Sequence, residues 1–309
     1  MPALLISYTL WGNGALDVID QLAWLKARGF EALGFHTNER LAPDRGLDIR
    51  ELTDADWARL RQVVAGLRGI EVHAPIQDEL SLVATDATAR RESVHRLSRH
   101  LEFAAKLGAD VVVVHSGAGE NGTTWEQRRA ALVDSLRQLE AVCARTGVPL
   151  SLEVADDLIV ADRLDVLTEV ECPHLGICLD VGHIAFQRDG RPGYAHYGSI
   201  PGFIEHRGKR LNHVHFHDYD GKRDHLGLGA GHLDLKGILQ ALRRVGYAGM
   251  LALELAPEAV PAEKAAAQKD LLLKWVQEVW EGHEPDRDSR GSVGTTPAGA
   301  SVEHHGELN

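Results

Sequence analysis

The chain has 309 residues and a formal charge of −12, enough length for one large α/β domain or two small ones. No apolar run reaches the length of a membrane span, and the acidic balance argues against nucleic acid as the main partner, because a phosphate backbone would be repelled. The three cysteines, Cys143, Cys172 and Cys178, lack metal-site spacing and read as reduced thiols. Together with an N-terminal run that has no basic segment, they predict a cytoplasmic protein without a secretory signal.

Short apolar runs recur along the chain: Ala3–Thr9, Ala32–Thr37, Ile70–Ile76, Asp110–Ser116, Pro149–Val154, Leu175–Val181, Leu211–His217 and Gly249–Leu255. Each is rich in Val, Ile, Leu or Phe, as buried parallel strands are. Helical patterns alternate with them. The first places Val18, Leu22 and Leu25 on one face and closes at Gly29. The second opens at Thr53 with acids in its first turn. The third ends at Gly108; the fourth pairs Thr123 with Glu126 as a capping box and stops at Gly147. After the sixth strand only a Gly/Pro loop and a short helix are expected. A helix beginning near Asp234 and a long one over AEKAAAQKDLLLKWVQEVW complete the set.

This alternation predicts a single-domain (β/α)8 TIM barrel over residues 1–282. A doubly wound sheet is the competitor, but the first strand–helix turn, with only Gly12 and Gly14, lacks a dinucleotide loop. Residues 283–309 are rich in Gly, Ser, Pro and charge and predict a disordered tail.

The strand ends carry the chemistry. Side chains alternate faces along a strand. Ser151 and Glu153 therefore share a face, as do Cys178 and Asp180, Ala252 and Glu254, and the three histidines His213, His215 and His217. A second set follows the same rule: Gly34 with His36, Glu71 with His73, and Val113 with His115. A carboxylate inside a barrel is costly unless it is paired or metal-bound. Glu153, Asp180, His215 and Glu254 at successive strand ends therefore point to a divalent cation. The oxygen-rich donors suit Mn, Mg or Co, with Zn as an alternative. Gly182 permits a tight exit that turns His183 back to the mouth. His225 lies in a Gly-rich loop after the seventh strand, and Arg188, Lys222 and Arg223 lie in loops on the mouth side, where a substrate phosphate would find charge.

The ordered set formed by HAPIQDEL through HSG, LEVAD, LDVGH, VHFHD, HLGLGAG and LALEL resembles the xylose isomerase-like barrel superfamily. That group includes sugar phosphate isomerases/epimerases and endonuclease IV. The resemblance covers about residues 1–280. It implies a divalent metal held by Glu153, Asp180, His215 and Glu254, with the two glutamates also moving protons on opposite sides of a sugar or keto substrate. His215 is taken over His213 and His217 because the family motif has an acid three residues on, here Asp218. His183, His73, His115, His225 and Arg223 are then expected to line the substrate pocket.

The expected activity is isomerisation or epimerisation of a small-molecule sugar or keto compound; a dehydratase would use the same proton abstraction. Self-association is left open. The likeness to endonuclease IV would instead imply three zinc ions on His73, His115, Glu153, Asp180, His183, His215, His225 and Glu254. The aspartate expected two residues before His225 is Arg223, which argues against the third metal.

Overall fold

A computed structural model describes residues 4–12, 17–39, 46–76, 80–170, 172–260 and 262–281. Strands buried on both faces must pair their backbone groups with neighbours on both sides, and eight of them do so here. They are β1 (Leu5–Leu10), β2 (Ala32–Asn38), β3 (Gly69–His73), β4 (Val111–Val114), β5 (Leu150–Glu153), β6 (Leu175–Asp180), β7 (Leu211–His215) and β8 (Met250–Leu253). Each pairs in parallel with its neighbour in sequence, and β1 pairs with both β8 and β2. The sheet is therefore a closed barrel, and the doubly wound alternative, which needs two free edges, is excluded.

The outer layer is α1 (Val18–Lys26), α2 (Asp54–Val64), α3 (Ala87–Leu107), α4 (Trp125–Thr146), α5 (Val166–Val170), α6 (Ile200–Arg207), α7 (Leu235–Arg244) and α8 (Ala265–Glu281). Local chemistry sets their ends. Thr53 and Asp56 form a capping box on α2, and Gly108 and Gly147 close α3 and α4 at φ 78° and 75°, a conformation that glycine adopts without a Cβ penalty. The α4 box sits one residue later than its spacing suggests. Thr124 accepts from the Gln127 N–H, and Gln127 reaches back to the Thr124 N–H. Thr123 instead donates to the Glu120 carbonyl at 2.6 Å.

Val112, Val114, Leu150, Leu152, Leu179, Leu251 and Leu253 are buried in the apolar core. The opposite strand face carries Ser7, Thr9, Glu71, Ser151 and His213, all fully buried. The barrel interior is thus polar for much of its depth. His36 lies level with His73 on the neighbouring strand, and His215 with Asp180. The expected tail and Gly14 fall outside the described residues. Among those described, no helix is long and apolar enough to cross a membrane.

Candidate active site

Four strand ends meet at one atom. His215 Nδ1 lies 2.8 Å from Glu254 Oε2, 3.5 Å from Glu153 Oε2 and 3.8 Å from Asp180 Oδ2. Glu153, Asp180, His215 and Glu254 are all buried, and none of these approaches to His215 Nδ1 has the angle of a hydrogen bond. Three carboxylates in a low-dielectric pocket repel one another, so a proton or a cation must sit between them and this nitrogen. Burial opposes a charged ring, yet Cys178, Glu254 and Glu153 hold the His215 pKa well above the ordinary value. An imidazole nitrogen facing three carboxylates is a donor set that fits a divalent cation.

An outer tier of histidines surrounds this group. His36 Nε2 stands 2.8 Å from Glu254 Oε1, and Trp11 Nε1 donates to the same oxygen at 2.9 Å. His73 and His115 approach Glu153 Oε2 through Nε2 at 3.1 and 3.2 Å, and His183 Nδ1 approaches Oε1 at 3.0 Å. His225 Nε2 lies 3.4 Å from Glu254 Oε2 and 3.7 Å from Asp180 Oδ2. The rings of His36 and His73 stack at 4.0 Å, as do those of His217 and His225 at 4.2 Å.

His73 Nδ1 spends its hydrogen on the Ala74 carbonyl at 2.8 Å, and His115 Nδ1 faces Asp156 Oδ2 at 3.3 Å. Burial pushes the Glu153 and Glu254 carboxyls up, but His115 and His215 around the first, and His215, His225 and His36 around the second, outweigh it and hold both low. Burial lowers His115, while Glu153 and Asp156 raise it to about 10. His36 goes the other way, to about 4, because burial and neighbouring His73 dominate.

Most of the residues singled out in the sequence come together here: Glu153, Asp180, His215, Glu254, His183, His73, His115 and His225. Arg223 does not. Its side chain is 74 % exposed and pairs with Asp220 at 2.8 Å. The neighbouring Asp224 turns inward instead, with Oδ2 at 3.3 Å from His183 Nε2 and 3.2 Å from His225 Nδ1. An acidic side chain thus reaches this corner of the site from one position later than the one read in the sequence. Adjacent side chains can converge because His225 sits at φ 52°, in the left-handed region. Asp156, which meets His115, has the same φ of 52°.

Gly182 also has a different reason from the one expected. Its backbone is ordinary right-handed, at φ −84° and ψ −46°, but a Cβ there would stand 2.2 Å from His217 Cε1. The glycine makes room for His217. That ring accepts from the His225 N–H at 2.9 Å and donates from Nε2 to Asp180 Oδ1 at 2.9 Å. His217 thus holds Asp180, and Asp218 anchors the Gly-rich loop by accepting from the N–H groups of Tyr219, Gly229, Gly231 and Leu233. Asp224, Asp156 and Trp11 had no signal beyond residue type, since loop direction decides whether they face the site, whereas His217 shared the strand face of His215 but carried no sign that it would hold Asp180.

A family model described as xylose isomerase-like TIM barrel matches residues 22–275, and the chain belongs to that family. The uncharacterised protein MJ1311 of Methanocaldococcus jannaschii is 26% identical over 196 residues, 60% of this chain and 64% of that protein. The match thus spans under two thirds of that relative's length. Among solved structures, a D-tagatose 3-epimerase-like protein superimposes with a TM-score of 0.70 at 20% identity, covering 90% of this chain and 99% of the other. An L-ribulose 3-epimerase gives 0.73 at 16% identity, covering 91% and 97%.

Proposed function

We propose that the protein is a divalent-metal-dependent isomerase or epimerase acting on a small sugar, sugar phosphate or related keto compound. The observation that carries this reading is the placement of two buried carboxylates, Glu153 and Glu254, on either side of His215 Nδ1. Epimerases acting at a carbon next to a carbonyl need one group to take a proton and one to return it. The names of the solved neighbours, a 3-epimerase-like protein and a 3-epimerase, agree with that chemistry.

Glu153, Asp180, His215 and Glu254 would hold the cation, which, when bound, withdraws electrons from the substrate carbonyl and acidifies the adjacent C–H. Glu153 and Glu254 are both held as carboxylates, so either can accept that proton. His73, His115 and His183 orient Glu153 from one side, and His36, Trp11 and His225 orient Glu254 from the other. Inversion needs a second proton delivered from the opposite face, so the other carboxyl must first take one from a neighbouring imidazolium such as His225, 3.4 Å from Glu254 and raised to about 9; delivery of the abstracted proton to the neighbouring carbon isomerises instead.

The test is deuterium uptake. Protein loaded with Mn²⁺ and incubated with a panel of ketoses in D₂O should place deuterium on the carbon beside the carbonyl and produce an epimer or isomer. A panel with no uptake in any ketose would sink the reading. Loss of water from an exchanging substrate would indicate the dehydratase variant.

One observation favours a second reading. Asp224 completes a group with Asp180, His183 and His225 that could hold a further cation. A centre with several zinc ions would suit phosphodiester hydrolysis at an abasic DNA site. About one metal per chain supports the sugar reading; about three zinc ions, with nicking of abasic DNA, would support this one.

A further inference from the structure

One layer deeper in the barrel lies a polar group that the proton chemistry does not use. Glu71, on β3 two residues before His73, is fully buried. Its Oε2 accepts from Thr9 Oγ1 at 2.6 Å and stands 3.2 Å from His213 Nε2, while its Oε1 stands 3.2 Å from His215 Nε2. The fold makes space for it. A Cβ on Gly34 of β2 would lie 2.2 Å from Glu71 Oε2 and 2.9 Å from Thr9 Oγ1. Three strands, β1, β2 and β3, thus shape one pocket for a carboxylate that reaches across to β7.

A carboxylate can only accept a hydrogen bond. His215 must therefore present Nε2–H to Glu71. This leaves Nδ1 as the nitrogen aimed at Glu153, Asp180 and Glu254.

We infer that Glu71 is a positioning residue for the cation centre: from beneath the site it fixes the ring orientation and tautomer of His215. It touches no substrate and acts only through that ring. Partners of this kind sharpen ligand basicity and geometry, and their loss commonly costs about 10–100-fold in metal affinity. The inference rests on reading His215 as a ligand, not on the identity of the substrate.

The test is Mn²⁺ affinity of the full chain measured calorimetrically without substrate, with nitrogen-resolved NMR of the His215 ring in Zn²⁺-loaded protein. Glu71→Gln is nearly isosteric. It is expected to retain the far-UV spectrum and a cooperative melt, yet bind Mn²⁺ about 10–100-fold more weakly and lose the single Nε2–H tautomer. Gly34→Ala keeps the charge but occupies its space, and should shift affinity in the same direction. Thr9→Val removes only the hydroxyl donor and should give a smaller shift. A folded Glu71→Gln protein with wild-type affinity and tautomer overturns the inference. If that variant does not fold, unchanged affinity in both Gly34→Ala and Thr9→Val overturns it. A wild-type chain that binds no divalent cation removes this inference along with the metal site. One that binds Mn²⁺ but exchanges no ketose proton fails the proposed function alone.

Discussion

The two halves of the barrel mouth are built from different chemistry. Strands β5, β6 and β8 end in the carboxylates Glu153, Asp180 and Glu254, with His215 from β7 between them. The opposite half, β2 to β4, offers His36, His73 and His115, and each ring points at a carboxylate of the first half. One half carries fixed negative charge, and the other carries groups that hold and direct it. A site divided in this way keeps the carboxylate oxygens in place around the single focus of His215 Nδ1.

Substitutions on the carboxylate half should be the most damaging. Glu153→Gln and Glu254→Gln should each lower kcat by about 10²–10⁴-fold while the fold is retained; steady-state rates with circular dichroism check this, and near-wild-type rates in both would break the comparison. Metal removal comes next. A chelator should abolish activity, and Mn²⁺ should restore it. Because the neighbouring carboxylates hold the His215 pKa well above its ordinary value, a cation taken up at Nδ1 must displace a proton, so affinity should fall as the pH is lowered. Titrations at pH 8 and pH 6 measure that slope.

On the histidine half, His73→Asn and His115→Asn should cost about 10–100-fold, with metal affinity and rate moving together, since these rings orient Glu153. Effects as large as those of the glutamates would mean that the histidines carry the chemistry themselves. Arg223→Ala should change the rate by less than about twofold, because its side chain faces solvent and its partner is Asp220.

A smaller effect separates the mouth from the layer behind it. Buried His100, near Thr37 and Glu39, has its pKa lowered to about 4, chiefly by burial, against 6.5 in an unfolded chain. Between those values the unfolded state binds a proton that the native state does not. Its contribution to stability is therefore present above pH 6.5 and lost as the pH falls toward 4. Urea midpoints at pH 7 and pH 5 should converge more closely for His100→Gln than for the wild type. An unchanged gap between the two midpoints would show that His100 is not responsible.

Much of this molecule could be read from period and position. Eight apolar runs, their alternation with amphipathic segments and the Gly-closed helices α3 and α4 are local properties, and so is the sharing of one strand face by Ser151 and Glu153 or by Glu71 and His73. A residue at a strand end has its direction set by the pleat, which is why Glu153, Asp180, His215 and Glu254 were legible as a set. Loop residues have no such constraint. Whether Arg223 or Asp224 faces the mouth depends on a left-handed turn at His225, and the use of Gly34 and Gly182 depends on which side chains from other strands press against them. The sequence by itself determined the barrel and the strand ends that converge on His215, because alternation is a short-range rule. Only the tertiary structure decided which loop acids join them and which carboxylate stands beneath His215, because those are contacts between segments far apart in the chain.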